Sequence, residues 1–364
     1  ELTKTFIDKR ASVLARGLKQ DMKFDTKILE DNKVMIDDQF IGKINGLKLE
    51  LDLKKGALET DIKSLKKAAR QTVGPELEKR IQIIIETSLI ELHDDFKIYW
   101  NKSVIAKLRP GKDYLIPNFE LVVDDILEQN QKQRLINFID KWIKNKIDNV
   151  LNSLISLKHI KDSNSSIKAL AYQLYENNGV LKRDQVYTYL KNLQQSERKI
   201  LRDLGVKFGR YHIFLYKLIK PEAVSLRTLL WKNFHQKYFD LKPPMFGLNF
   251  IDNKNYKNKN FMLLCGFENF NNFFVRIDIL ERLFMQIIKS NNEKEIKMVP
   301  EMLNLLGCSK ENFKKLLKNM GYRILEKNNE TFFKYSPIKK GKKIFNKKKH
   351  KESPFGILKT LNFS

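Results

Sequence analysis

The segment VPEMLNLLGCSKENFKKLLKNMGYRILEKNNETFFKY, residues 299–335, carries the clearest fold signal in the chain. Pro300 favours the first turn of a short helix, and Gly307-Cys308-Ser309 forms a turn whose serine can cap a second helix over 310–320. Two strand-forming runs on either side of Asn328-Asn329 then predict a β-hairpin. Helix, tight turn, helix and hairpin in this order are typical of a winged helix.

The second of these helices is basic. Its apolar residues share one face, and its lysines lie off that face. Phosphates are bound by flexible cations on an exposed surface, so we predict contacts to nucleic acid here. The predicted contacts are Lys310, Lys314, Lys315, Lys318 and, in the hairpin, Arg323. The alternative is a packing module whose lysines only face solvent.

A second motif is LGVKFGRYHIFL, residues 204–215, in which two glycines four positions apart bracket a basic residue. Glycine lets a backbone approach a partner closely, and Lys207, Arg210 and Tyr211 could grip a sugar–phosphate strand. The alternative is a glycine-bounded core strand with Phe208 and Phe214 buried, and the spacing alone favours this alternative.

The charge balance points to a polyanionic partner. Among 364 residues, 69 are Lys or Arg and 43 are Asp or Glu, a net charge of +26, while a hydrophobic fraction of 42% is enough to form cores. Residues 338–351 hold eight lysines and no acid, so most of the excess lies elsewhere. We expect RNA or DNA as the partner, before an anionic membrane. In the tail the predicted contacts are Lys339, Lys340, Lys342, Lys343, Lys347, Lys348 and Lys349.

Several function classes have no support in the sequence. No apolar run approaches the roughly 18 residues of a membrane span, so we expect no membrane partner. There is no phosphate-binding P-loop, no nucleophile elbow and no His or Cys spacing typical of a metal site, so we predict no catalytic, metal or cofactor residue. With only Cys265 and Cys308, a disulfide framework is excluded and a reducing, cytoplasmic compartment is expected. The chain starts without Met or an apolar signal and is read as a fragment or a processed chain.

The expected fold class is mainly α with small antiparallel β elements (α+β), in several parts. Strand pairs near Val34 and Ile98 align at an offset of 64 residues, which favours a duplication as much as a coincidence. We also expect a helix break at Gly74-Pro75 and a strand at Phe261–Cys265. The predicted parts are an N-terminal helix (1–30), duplicated strand-pair and helix units (31–125), a helical domain (126–240), a strand–helix plus winged-helix-like unit (261–336) and a Lys-rich tail (337–364).

Short stretches along nearly the whole chain match one family in the same order. They are residues 40–47, 75–80, 103–108, 204–215, 218–222, 229–231, 275–283, 300–303, 306–309, 320–323 and 353–355. The most specific are LGVKFGRYHIFL at 204–215 and VRIDILERL at 275–283. With these stretches the chain resembles the region C-terminal to the motor in bacterial superfamily 2 helicases related to the mitochondrial degradosome RNA helicase.

The resemblance implies an accessory role in ATP-driven unwinding of RNA or DNA. In that family ATP and Mg²⁺ are bound by two RecA-like domains N-terminal to this region, and nothing here matches their motifs. The motor would therefore be a partner in cis or in trans, and no hydrolase activity is assigned to this chain itself. Two other functions stay open, namely a scaffold docking on a separate helicase or degradosome subunit and a winged-helix DNA-binding regulator.

Overall fold

In the computed structural model, the described residues are 26–36, 39–52, 59–160, 165–252, 258–271, 273–289, 295–327 and 329–336. They form helices and five small antiparallel sheets, which confirms the predicted α+β class. Most of the predicted N-terminal helix and the Lys-rich tail lie outside these residues. Where the predicted N-terminal helix enters them, at Thr26–Ile28, the chain is a strand and not a helix.

Two four-stranded meanders, each followed by a long helix, build the N-terminal half. Strands β1 to β4 are Thr26–Ile28, Lys33–Ile36, Gln39–Asn45 and Lys48–Leu51, followed by α1 at Glu59–Thr87. Strands β5 to β8 are Glu91–Leu92, Lys97–Trp100, Ser103–Asp113 and Ile116–Leu121, followed by α2 at Gln129–Val150. The offset of 64 residues relates the two sheets in detail. Lys33 pairs with Lys43 as Lys97 pairs with Lys107, and a register shift follows Val34 as it follows Ile98.

Helix α1 runs without a break through Pro75, so the predicted end at Gly74-Pro75 is wrong. A proline inside a helix costs about 3 kcal/mol because it removes a hydrogen bond and crowds the preceding turn. Val73, Leu77 and Ile81 continue one fully buried face across the proline. Burying each of these side chains contributes roughly 1.5–3 kcal/mol, which offsets that cost.

The range 126–240, expected to be helical, also contains a three-stranded sheet whose last strand lies between the other two. After α2 the elements are α3 at Asn152–Ile155, α4 at Ser165–Glu176, β9 at Val180–Lys182, α5 at Tyr187–Asn192, α6 at Gln195–Asp203, β10 at Val206–Phe208, β11 at His212–Leu215 and α7 at Pro221–His235. We call Ser165–Leu215 the middle unit. The strands are three or four residues long, too short for a clear alternating pattern in the sequence.

A fourth sheet, in which the last of three strands lies between the other two, connects the middle unit to the C-terminal elements. Its elements are β12 at Phe250–Asp252, α8 at Lys259–Leu264, β13 at Phe267–Phe270 and β14 at Phe273–Arg276. The predicted strand at Phe261–Cys265 is wrong, because these residues lie in α8 and its cap. The Asn258 side chain accepts a hydrogen bond from the N–H of Phe261 at 2.9 Å and so starts the helix.

The C-terminal unit is Ile277–Tyr335. It contains α9 at Ile277–Lys289, β15 at Ile296–Lys297, α10 at Pro300–Leu306, α11 at Lys310–Asn319, β16 at Tyr322–Lys327 and β17 at Glu330–Tyr335. The helix, turn, helix and hairpin predicted from residues 299–335 are all present. The sheet order is β15-β17-β16, so the first strand pairs with the last.

Arg227, on α7, is fully buried and links three segments. Its guanidinium donates to the backbone oxygens of Asn178 at 2.8 Å and of Leu218 and Leu264 at 2.7 Å. Burial lowers the pKa of Arg227 to about 10, so it stays protonated at neutral pH. One cation thus satisfies carbonyls of the middle unit, of the chain that follows it and of α8.

Candidate nucleic-acid interface

Helix α11 presents most of its lysines to solvent because Phe313, Leu316 and Leu317 anchor its opposite face in the core. Ser309 caps the helix by accepting from the N–H of Asn312 at 3.2 Å. Of the predicted contacts, Lys310, Lys315 and Lys318 are exposed. Lys314 is half-buried and pairs with Glu326 of β16, so this cation is partly neutralised.

The hairpin exposes two further cations. Arg323 of β16 and Lys334 of β17 face each other across the hairpin, and both are exposed. Two neighbouring lysines are engaged in ion pairs. Lys297 pairs with Glu330, and Lys327 pairs with Glu295 at 2.6 Å. We call Lys310, Lys315, Lys318, Arg323 and Lys334 the C-terminal basic surface.

The motif at residues 204–215 agrees in part with each of its two interpretations, a core strand and a contact to nucleic acid. Phe214 is buried, as the core-strand alternative expects, and Phe208 is half-buried with the Arg202 guanidinium 5.7 Å from its ring centre. Lys207 is exposed on β10, opposite Phe214 in the sheet. Lys207 and Arg210 are therefore available to a ligand.

Tyr211 is not available in the same way. Its ring packs edge-on against Phe284 of α9, with ring centres 4.7 Å apart, and its hydroxyl oxygen is buried. Burial raises the pKa of its hydroxyl. The prediction that Tyr211 grips a strand therefore has no support, because the ring belongs to the interface between the middle and C-terminal units.

A buried carboxylate holds this interface together. Glu281 of α9 accepts hydrogen bonds from three consecutive backbone N–H groups, those of Arg210, of Tyr211 at 2.9 Å and of His212 at 2.7 Å. A side chain at residue 209 would displace Glu281, since a Cβ there would lie 2.4 Å from the Glu281 carboxylate. The loop of the middle unit is thus wrapped around one side chain of the C-terminal unit.

His212 lies between two acidic residues. Its Nδ1 is 3.0 Å from Glu281 and its Nε2 is 3.1 Å from Glu268 of β13, which also pairs with Lys182 at 2.8 Å. His212, Glu268 and Glu281 are 3, 7 and 5% exposed. The sequence gives no sign of this network because His212 is 56 and 69 residues away from the two acids.

The network shifts two pKa values in opposite directions. Burial alone would lower the pKa of His212, but hydrogen bonds to Glu268 and Glu281 outweigh burial and raise it above 6.5. Burial alone would raise the pKa of Glu268, but hydrogen bonds from His212 and Lys182 outweigh it and lower that pKa below 4.5. The network of His212 and Glu268 therefore stabilises the fold fully between pH 4.5 and pH 6.5, the ordinary pKa values of the two side chains.

We expect the free energy of unfolding to fall as the pH rises above 6.5 and through the raised pKa of His212, and to fall again below pH 4.5 as Glu268 takes up its proton. A single proton gives a slope of up to about 1.4 kcal/mol per pH unit. In His212→Gln the slope above pH 6.5 should shrink, as measured by urea unfolding at a series of pH values. Circular dichroism at pH 6 checks that the variant is folded, and an unchanged slope would contradict the assignment.

A groove of about 440 Å³ lies where β10 and β11 meet α9. Four exposed side chains line it. Lys207 belongs to the middle unit, Tyr216 follows directly after that unit, and Arg282 and Met285 belong to α9. Cations and an aromatic ring from the two units thus share one concave surface.

The remaining predicted contacts, Lys339, Lys340, Lys342, Lys343, Lys347, Lys348 and Lys349, lie outside the described residues. Within the described part of the chain, no helix is both long and apolar enough to cross a bilayer. Nor do its His, Cys, Asp and Glu side chains form a group arranged to hold a metal ion. Comparison of the chain with protein-family models, with curated proteins and with solved structures finds no match.

Proposed function

We propose that this chain is a nucleic-acid-binding accessory region of an ATP-dependent helicase, and that it holds the backbone of RNA or DNA beside a motor located elsewhere. The observation that carries the proposal is the C-terminal basic surface, on which one helix and one hairpin expose five cations. The motor, as RecA-like domains in cis or in trans, is proposed from the resemblance alone.

The C-terminal unit is proposed to be a winged helix. Its elements follow the order helix, strand, helix, helix, strand, strand, and its first strand pairs with its last. Winged-helix and related helix-turn-helix modules bind nucleic acid with the second helix of the turn. In this unit that helix is α11, which contains four lysines and one glutamate.

The electrostatics of the hairpin also favour a phosphate ligand. Like charges directly opposite in an antiparallel pair destabilise it, and Arg323 and Lys334 are such a pair. A phosphate between two such cations removes their repulsion and gains charge-assisted hydrogen bonds. Contacts of this kind fix the register of a strand and carry no sequence information.

A scaffold that docks on another protein is the second candidate, and one surface favours it. Residues 238–248, after α7, expose several large apolar side chains, Tyr238, Phe239, Met245, Phe246 and Leu248. An exposed apolar patch of this kind is typical of protein–protein contacts. A scaffold would retain its partner after nuclease treatment and at high salt, whereas binding through nucleic acid would be lost.

The triple variant K315Q/K318Q/R323Q tests the proposal. Each phosphate contact to a single strand contributes about 0.7 to the slope of log affinity against log salt. Losing three contacts should flatten the slope by about 2 and weaken binding roughly 10- to 100-fold near 0.1 M salt, as measured by fluorescence anisotropy with a labelled single strand of about 30 nucleotides. The matched control is K43Q/K141Q/K144Q, three exposed lysines of the N-terminal half. Equal behaviour of the two triples would contradict the proposal.

A further inference from the structure

The middle unit has the same architecture as the C-terminal unit. In both, a helix, a short strand, two helices and a hairpin follow one another. In both three-stranded sheets, β10-β11-β9 and β15-β17-β16, the first strand of the unit pairs with the last, and the second strand lies at the far edge. The two units therefore share connectivity and sheet order.

An offset of 116 residues aligns their sequences. At this offset buried residues match buried residues, as in the pairs Val186 and Met302, Leu190 and Leu306, and Leu201 and Leu317. Gly205 and Gly321 both follow the basic helix with a positive φ, 94° and 84°, which side chains rarely adopt. Each glycine ends its helix and starts its hairpin, so the same turn has the same residue in both units.

The same offset also aligns the exposed cations. Lys199, Arg202 and Lys207 of the middle unit correspond to Lys315, Lys318 and Arg323, and all six are exposed. A fourth pair, Arg198 and Lys314, is half-buried in both units. There Arg198 donates to the Leu190 oxygen at 2.8 Å, and Lys314 pairs with Glu326. Packing explains the matching apolar residues, but it does not require cations at three exposed positions.

We infer that the middle unit is a second binding site for a nucleic-acid backbone, in which Lys199, Arg202 and Lys207 contact phosphates. This inference rests on the proposed function and extends it from one site to two. Glu197 is buried in the capping box of α6, where its carboxylate accepts from the N–H of Gln194 at 2.8 Å. Asp203, at the end of α6, is the one exposed acid on that helix, within the described residues.

The two sites are held in fixed relation. Glu281 and His212 lock the loop of the middle unit onto α9, and the groove lined by Lys207, Tyr216 and Arg282 lies at this junction. The groove adds a cationic and aromatic surface next to Lys207, of the kind that holds single strands. A strand long enough to reach both sites should therefore bind more tightly than one that covers a single site.

The test compares K199Q/R202Q/K207Q with K315Q/K318Q/R323Q and the control K43Q/K141Q/K144Q in the full chain. The probes are labelled single strands of about 30 and about 8 nucleotides, since single-strand sites cover roughly 4–16 nucleotides. On the long strand, each of the first two triple variants should bind roughly 10- to 100-fold more weakly than the wild type. Its slope of log affinity against log salt concentration should be flatter by about 2. On the short strand each should lose about two-fold, because the intact unit still binds.

The charge-preserving variant K199R/R202K/K207R should keep wild-type affinity, which separates loss of charge from loss of fold. The inference is overturned if K199Q/R202Q/K207Q behaves like the control while K315Q/K318Q/R323Q loses affinity, and the proposed function then stands with one site. If both triples behave like the control, the proposed function fails as well.

Discussion

Replacing Arg227 by methionine should lower the free energy of unfolding by roughly 3–5 kcal/mol. The substitution keeps much of the side-chain volume and removes the donors to the oxygens of Asn178, Leu218 and Leu264. Each buried carbonyl left without a partner costs about 1–3 kcal/mol, and the site of the Arg227 side chain is fully buried. The loss would be a large part of the stability of an ordinary domain.

Urea unfolding followed by circular dichroism measures this effect. Arg227→Lys should cost less than methionine, because an ammonium keeps the charge but reaches fewer of the three oxygens. The control is Arg282→Gln, an exposed arginine on α9, which should change the free energy of unfolding by no more than about 0.5 kcal/mol. A loss below about 1 kcal/mol in Arg227→Met would contradict the structural role given to this residue.

Arg227 also matters for the proposed binding surface. Asn178 belongs to the middle unit, and Leu264 ends α8, which is followed directly by β13 and β14. The same sheet supplies Glu268 to His212, and α9 continues directly from it. Arg227 therefore helps to fix the position of the middle unit relative to the C-terminal unit.

The sequence predicted the elements that rest on local signals. Residues 299–335 have a proline near one helix start, a serine cap at the other and an asparagine pair at the hairpin turn, and these signals act over a few residues. The lysines of α11 could be placed off the apolar face because helical periodicity alone decides this. The strand pairs near Val34 and Ile98 are long enough for their alignment at 64 residues to be visible.

Elements that depend on distant contacts could not be predicted. Pro75 looks like a helix end until the buried face that continues past it is known. Phe261 is as compatible with a buried strand as with the short helix that forms, because its neighbours are apolar in either case. Glu281 and Arg227 read as ordinary surface charges, since their partners are 37 or more residues away or are backbone atoms.

The similarity of the middle and C-terminal units, at an offset of 116 residues, is also hard to detect in the sequence because few aligned residues are identical. Between residues 198–206 and 314–322, only Lys199, Leu201 and Gly205 are identical to their counterparts. All other positions except Asp203, which aligns with Asn319, exchange one cation for another or one apolar residue for another, which largely preserves the chemistry and lowers the identity. The sheet order of the two units makes the alignment apparent.

Removing the cations of both basic surfaces together should have the largest effect on binding. The variant K199Q/R202Q/K207Q/K315Q/K318Q/R323Q loses six phosphate contacts, so its salt slope on a long single strand should be flatter by about 4. Near 0.1 M salt this corresponds to a loss of roughly 10³- to 10⁴-fold in affinity. Neither unit can then compensate for the other, so the loss should also appear on the short strand.

A matched control keeps the total charge equal. K43Q/K48Q/K79Q/K102Q/K141Q/K144Q removes six exposed lysines from the N-terminal half and leaves both basic surfaces intact. It lowers the net charge of the chain by the same amount, so it reports what overall charge contributes to attraction at long range. Its affinity should stay within about ten-fold of the wild type, since the direct phosphate contacts remain.

The salt dependence of binding to a long single strand tests the central claim most directly. Anisotropy titrations over a series of salt concentrations give the slope for the wild type, the six-cation variant and the six-lysine control. The two-site account predicts a steep wild-type slope, a control slope close to it and a variant slope flatter by about 4. A flat wild-type slope, or equal slopes for the variant and the control, would contradict it.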